Sequence, residues 1–158
     1  MRTLLAGLLV VAVALPLGGL AIAAAPGPSD TPDAAILSGR ASRDLAAARS
    51  RWHARGFASY RFHVAQTCFC GPREGQATIT VRGGRPGAVS DRLRDAATVP
   101  RLFALVARAI RDRVAGLQVT YDARRGYVRH VYVDRSELIA DEEVGYDVRD
   151  LARLRPAR

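Results

Sequence analysis

The sequence predicts an α+β fold, an antiparallel sheet of 4–5 strands with two helices packed on one face. Three features carry this expectation: two segments with apolar residues at three- and four-residue steps, several short stretches alternating apolar with polar residues, and Gly- or Pro-rich turns between them. Composition agrees, because 49% of the 158 residues are hydrophobic and 25% charged, a balance suited to one folded domain rather than a disordered or fibrous chain.

The first helix is expected over 42–55, with Ser42 as N-cap, Asp44 in the first turn, Leu45, Ala48 and Trp52 on one face, and Gly56 as its stop. From Ser59 the period becomes two. Tyr60, Phe62 and Val64 fall on one side of a strand and Arg61, His63 and Ala65 on the other. Gly71-Pro72-Arg73-Glu74-Gly75 supplies a turn, and the returning strand faces Ala77, Ile79 and Val81 one way and Thr78, Thr80 and Arg82 the other, completing a hairpin. Gly83, Gly84, Pro86 and Gly87 break the alternation and leave room for a short third strand near Ala88 and Val89. Thr98 caps the second helix, which tolerates Pro100 in its first turn, carries Leu102, Phe103, Val106, Ala109 and Ile110 as an apolar stripe, and is expected to stop at Gly116. Leu117, Val119 and Tyr121 then define a strand face, 122–126 a turn, 127–134 a returning strand, and Val144, Tyr146 and Val148 a last strand before an Arg-rich tail.

Residues 4–25 form an uncharged run rich in Leu, Val and Ala, preceded by Arg2 and closed by small residues, the pattern of an export signal. A cut after Ala23 leaves Ala21-Ile22-Ala23 as the small-x-small site, whereas a cut after Ala25 places Pro26 just past the bond. An uncleaved anchor competes, since the run reaches about 33 Å as a helix, enough for a bilayer core of about 30 Å. The expected organisation is therefore a signal over 1–23, a Pro-rich linker over 24–41, one domain over 42–152 and a basic tail over 153–158. No Cys lies near the end of the apolar run, which argues against a lipid-modified Cys.

All 24 basic residues are Arg, against 15 acidic ones, and the chain has neither Lys nor Asn. That usage matches a genome rich in G and C, so the charge of +9 is weak evidence for nucleic acid. The expected partner is a protein or an anionic envelope component, with no nucleic acid and no cofactor; a solvated basic surface is the plainer alternative, because no block of five like charges occurs.

Cys68-Phe69-Cys70 is the most informative triplet, because an exported chain with two Cys usually oxidises them. On a fully extended strand their Cα atoms stand about 6.6 Å apart, near the upper limit for a disulfide. A bond needs a pucker, which Gly71-Pro72 favours. A structural disulfide, a thiol-redox pair, a two-thiolate metal carrier and two buried free thiols all stay open. Catalytic signatures are missing: no Cys-x-x-Cys, no Gly-x-Ser-x-Gly, no Lys for a Ser-Lys dyad, and no phosphate-cradling loop. His53, His63 and His130 lie in no metal-binding spacing, and His130 and Asp134 on one strand sit about 13 Å apart, too far to share a proton. No catalytic or metal-ligating residue is assigned. Asp141, Glu142 and Glu143, with Asp134 and Glu137, form an acidic patch that could bind a cation or basic partner, though a solvated loop joining two strands is the plainer reading. Phe69, pointing away from the presumed core, and Tyr127 complete the candidate binding residues.

Trp52, Tyr60-Arg61-Phe62, Cys68-Phe69-Cys70, the Thr-Ile-Thr-Val strand, Leu102-Phe103, Val119-Thr120-Tyr121-Asp122, Gly126-Tyr127, Asp141-Glu142-Glu143 and Tyr146 occur in an order that resembles a family of small exported bacterial proteins known only as a domain of unknown function. The likeness spans about 50–151. It implies an envelope location, often as a lipoprotein, from which this chain departs by lacking the lipid-bearing Cys, and it implies no activity. Family members commonly carry Pro after the Gly-Tyr pair, where this chain has Val128. The combined expectation is an exported, disulfide-stabilised module that binds rather than catalyses; a thiol-redox or metal-handling protein using Cys68 and Cys70, and an inhibitor of a secreted enzyme, are the alternatives.

Overall fold

The computed structural model describes residues 30–67 and 75–155. Among them the chain runs α1 (Ala34–Leu37), α2 (Arg40–Arg55), β1 (Tyr60–Thr67), β2 (Gln76–Arg82), β3 (Arg85–Pro86), a 3-10 turn (Asp91–Ala96), α3 (Val99–Asp112), β4 (Gly116–Tyr121), β5 (Val128–Asp134) and β6 (Val144–Arg153). The strands form one sheet in the order β3-β2-β1-β6-β5-β4, every neighbouring pair antiparallel. The α+β class holds, while the sheet has six strands and the described residues form four helical segments, not 4–5 strands with two helices.

Tyr60, Phe62, Val64, Ile79, Val81, Val131, Val133, Tyr146 and Val148 join one buried cluster with Leu45, Ala48 and Trp52 of α2 and Leu102, Phe103, Val106 and Ala109 of α3. Each buried Val, Leu, Ile or Phe side chain among them contributes on the order of 1.5–3 kcal/mol on leaving water. The opposite sheet face carries exposed Arg61, Thr78, Gln118, Thr120, Asp147 and Arg149. Period-two alternation is thus one-sided burial.

The extra elements sit where composition reads as connection. α1 falls within the expected linker: Asp33 caps it by accepting from the Ala35 amide at 2.7 Å, and Ala35 and Ile36 are buried. The folded body therefore begins upstream of 42. α2 starts at Arg40 behind left-handed Gly39, not at Ser42, and ends at Gly56 as expected. β3 lies at Arg85–Pro86 beside β2, ahead of the expected Ala88 and Val89. α3 is capped by Thr98, whose Oγ1 accepts from the Arg101 amide at 3.2 Å, but it ends at Arg113 in a left-handed conformation rather than at Gly116, which opens β4. Buried Val114 and Ala115 then lead the chain into the sheet.

Two irregularities re-aim side chains. Opposite Phe62 of β1, β6 places two residues, Asp150 and Leu151, between Arg149 and Ala152, with Asp150 at φ 58°. Such a bulge reverses the inside-outside alternation beyond it. Leu151 turns into the core and Arg153, paired with Tyr60, comes to the helix-covered side. Arg153 belongs to β6, so the expected tail starting at 153 begins one residue late in the structure. A second shift, between Thr120 and Tyr121 against His130 and Val128, buries Val128 and leaves Arg129 exposed.

Candidate functional site

The end of α2, the link to β1, the β4–β5 turn and the end of β6 converge on one open pocket of about 430 Å³, lined by Ala54, Arg55, Phe57, Arg124, Arg125 and Arg153. Arg55 lies in the last helical turn, where a cation complements the helix dipole. Its Nη2 donates to the Arg124 carbonyl at 3.1 Å, joining α2 to the turn. The turn is shaped by Asp122, whose Oδ1 accepts from the amides of Arg124 and Arg125 at 3.0 and 2.7 Å, an Asx arrangement. Arg125 Nη1 donates to the Leu151 carbonyl at 2.6 Å. The β6 bulge delivers Arg153, whose guanidinium lies 5.5 Å from the Phe57 ring centroid, within cation–π range.

Phe57 is itself fixed, edge to face with Trp52 at 5.3 Å, while Trp52 meets Tyr60 at 5.2 Å. Four arginines thus line one pocket with the half-buried Phe57, which stands on an aromatic base. Among the described residues none of the four forms an ion pair within 4.0 Å. The nearby acids are engaged elsewhere, Asp122 within its turn and Asp150 4.0 Å from Arg149. The lining carries no carboxylate, imidazole, thiol or hydroxyl, and each guanidinium offers five N–H donors and no acceptor. This arrangement can hold an anion.

The expected site residues lie elsewhere. Cys68, Phe69 and Cys70, with 71–74 of the turn after them, lie outside the described residues, as does the expected signal over 1–23. Tyr127 is buried, its hydroxyl held above the usual phenol range by burial first and the Asp122 charge second. Asp141 is exposed and Glu142 and Glu143 half-buried in the β5–β6 loop, beside exposed Leu138 and Ile139. Arg135 lies 4.0 Å from Glu142. Among the described residues no group of three or more His, Cys, Asp or Glu side chains is placed to hold a metal ion, and no helix is long and apolar enough to cross a membrane. On the bare sheet face, His130 Nδ1 lies 2.8 Å from Asp147 of the adjacent strand, a pairing that sequence distance conceals. The arginine pocket was missed because its members come from four separate segments; the adjacent Arg124-Arg125 pair in a predicted turn is its one local trace.

The model of a family of unknown function, DUF6174, matches residues 44–153. The chain belongs to the DUF6174 family. Comparison with curated proteins and with solved structures finds no match. The DUF6174 match takes in every residue of the pocket, from Ala54 to Arg153, and stops at the last residue of β6. It also begins inside α2, so α1 and the cap at Asp33 precede the matched DUF6174 region.

Proposed function

We propose that this chain is an exported cell-envelope protein that works as a non-catalytic binding module, taking an anionic envelope component at the arginine pocket. The observation that carries the reading is a pocket lined by four arginines beside Phe57, none of them ion-paired within 4.0 Å among the described residues. Placing like charges together is unfavourable unless an anion compensates them. Export rests on the apolar run over 4–25 closed by Ala21-Ile22-Ala23. In an oxidising compartment the Cys68-Cys70 pair is expected as a disulfide within the β1–β2 connection.

Two measurements test this reading. Intact mass of protein from its native host is expected to show loss of 23 residues and two cysteines that alkylate only after reduction; a full-length chain with free thiols overturns the exported, disulfide-bonded form. On immobilised polyanions of either sulfate or carboxylate type, the protein is expected to elute at higher salt than an Arg124→Gln/Arg153→Gln double variant, while Arg43→Gln/Arg113→Gln, of equal net charge, elutes with the parent. Equal loss in both variants reduces the pocket to general surface charge and overturns it as the site.

A further inference from the structure

We infer that the arginine pocket is a phosphomonoester site, a statement that rests on the anion-binding reading above and narrows it to one ligand chemistry. The first argument is donor count. Each guanidinium offers five N–H donors in a fixed fork. Arg55 and Arg125 each commit one donor to a backbone carbonyl, of Arg124 and Leu151, which pins the side chains and leaves their remaining donors available. Arg153 is held over Phe57, and the Arg124 amide is tied to Asp122. A carboxylate presents two oxygens and one charge to this array. A phosphomonoester presents three oxygens and a charge of about −1.5 to −2 near neutral pH, able to accept from more than one of the lining arginines.

The second argument is the floor. Phe57 and Ala54 give the basic pocket an apolar base, and the Trp52–Phe57 edge contact keeps that ring in place. A bare inorganic ion uses only the rim, whereas an ester can also set its carbon skeleton against the apolar Ala54 and the part of Phe57 that Arg153 and Trp52 leave uncovered. A volume of about 430 Å³ falls within the size range of small-ligand sites. The acceptable ligand is a terminal phosphate on a carbon skeleton, which occurs both in a lipid headgroup and in a soluble ester.

Binding by the full-length protein is measured with three probes: glycerol 3-phosphate in solution, phosphatidylcholine vesicles containing phosphatidic acid, and a soluble polygalacturonate. Saturable binding of either phosphomonoester is expected, with glycerol 3-phosphate naming a soluble source and phosphatidic acid without it a lipid source. Each Arg→Gln change at Arg124 or Arg153 is expected to weaken that binding about tenfold, the effect of losing one hydrogen bond to a charged group, while Arg43→Gln/Arg113→Gln leaves it unchanged. Arg43 stands about 18 Å from Arg55 along α2. Polygalacturonate binding as tightly as the phosphomonoesters, and equally sensitive to the pocket variants, overturns phosphate selection but leaves the anion site standing. Equal weakening by both variant pairs, or no binding of any probe, overturns both.

Discussion

At Gly126 three requirements meet. Its backbone sits at φ +80°, its amide donates to the Asp122 carbonyl at 2.8 Å, and a Cβ there would overlap the Ala48 carbonyl oxygen and come within 2.9 Å of Arg51 Cβ and 3.0 Å of the Trp52 amide nitrogen. The first two are local turn chemistry, legible as Gly126-Tyr127 following Asp122. The third is a close approach of the β4–β5 turn to α2, which no local pattern encodes. Gly126→Ala is accordingly expected to cost about 3 kcal/mol or more, since it combines left-handed strain with overlap against helix backbone; urea unfolding measures it, and a loss under about 1 kcal/mol would show that turn and helix separate easily. Tyr60 repeats the lesson. Alternation puts its ring on the side of Phe62 and Val64, yet its hydroxyl also accepts from the Val99 amide at 3.1 Å and so satisfies a first-turn donor of α3.

Short elements depend on their surroundings more than on propensity. A four-residue helix such as α1 has almost no stability alone, because nucleation fixes several residues for one or two hydrogen bonds. It persists through Asp33, whose Oδ1 caps α1 while Oδ2 accepts from the Leu117 amide at 3.2 Å and whose own amide donates to the Val114 carbonyl at 3.0 Å. Pro26, Pro28 and Pro32 nearby give the stretch the composition of a linker, so the sequence reading extended it too far. Asp33→Ala is expected to cost about 1–2 kcal/mol from a lost cap and an orphaned strand amide. Hydrogen exchange distinguishes this from global loosening: the Leu117 amide should lose protection well beyond the amides of β1, and uniform acceleration would refute the local role. α3 shows the converse, a stripe and cap read directly from sequence with a C-terminus read three residues late, because buried Val114 and Ala115 draw the chain into the sheet before Gly116.

Across the whole molecule, burial holds the hydroxyls of Tyr60, Tyr121, Tyr127 and Tyr146 above the usual phenol range, with the Asp44 charge adding to the effect at Tyr121. The unfolded chain loses these protons near pH 10 while the folded chain keeps them. Above that pH the unfolded state therefore binds fewer protons, and stability falls as pH rises toward the folded values. Urea unfolding is expected to give a constant free energy from about pH 7 to 9 and a decline above about pH 10; Tyr121→Phe should make the decline shallower, and an unchanged slope would show that Tyr121 titrates normally. The sequence alone determined the α+β class, the core faces of β1, β2 and α3, and the helix stop at Gly56, because these follow from residue periodicity and caps acting within a few positions. Tertiary structure decided the sixth strand, the role of Asp33, the His130–Asp147 pair and the arginine pocket. Those features depend on register, and one extra residue in β6 turns Arg153 from an apparent tail into the neighbour of Phe57.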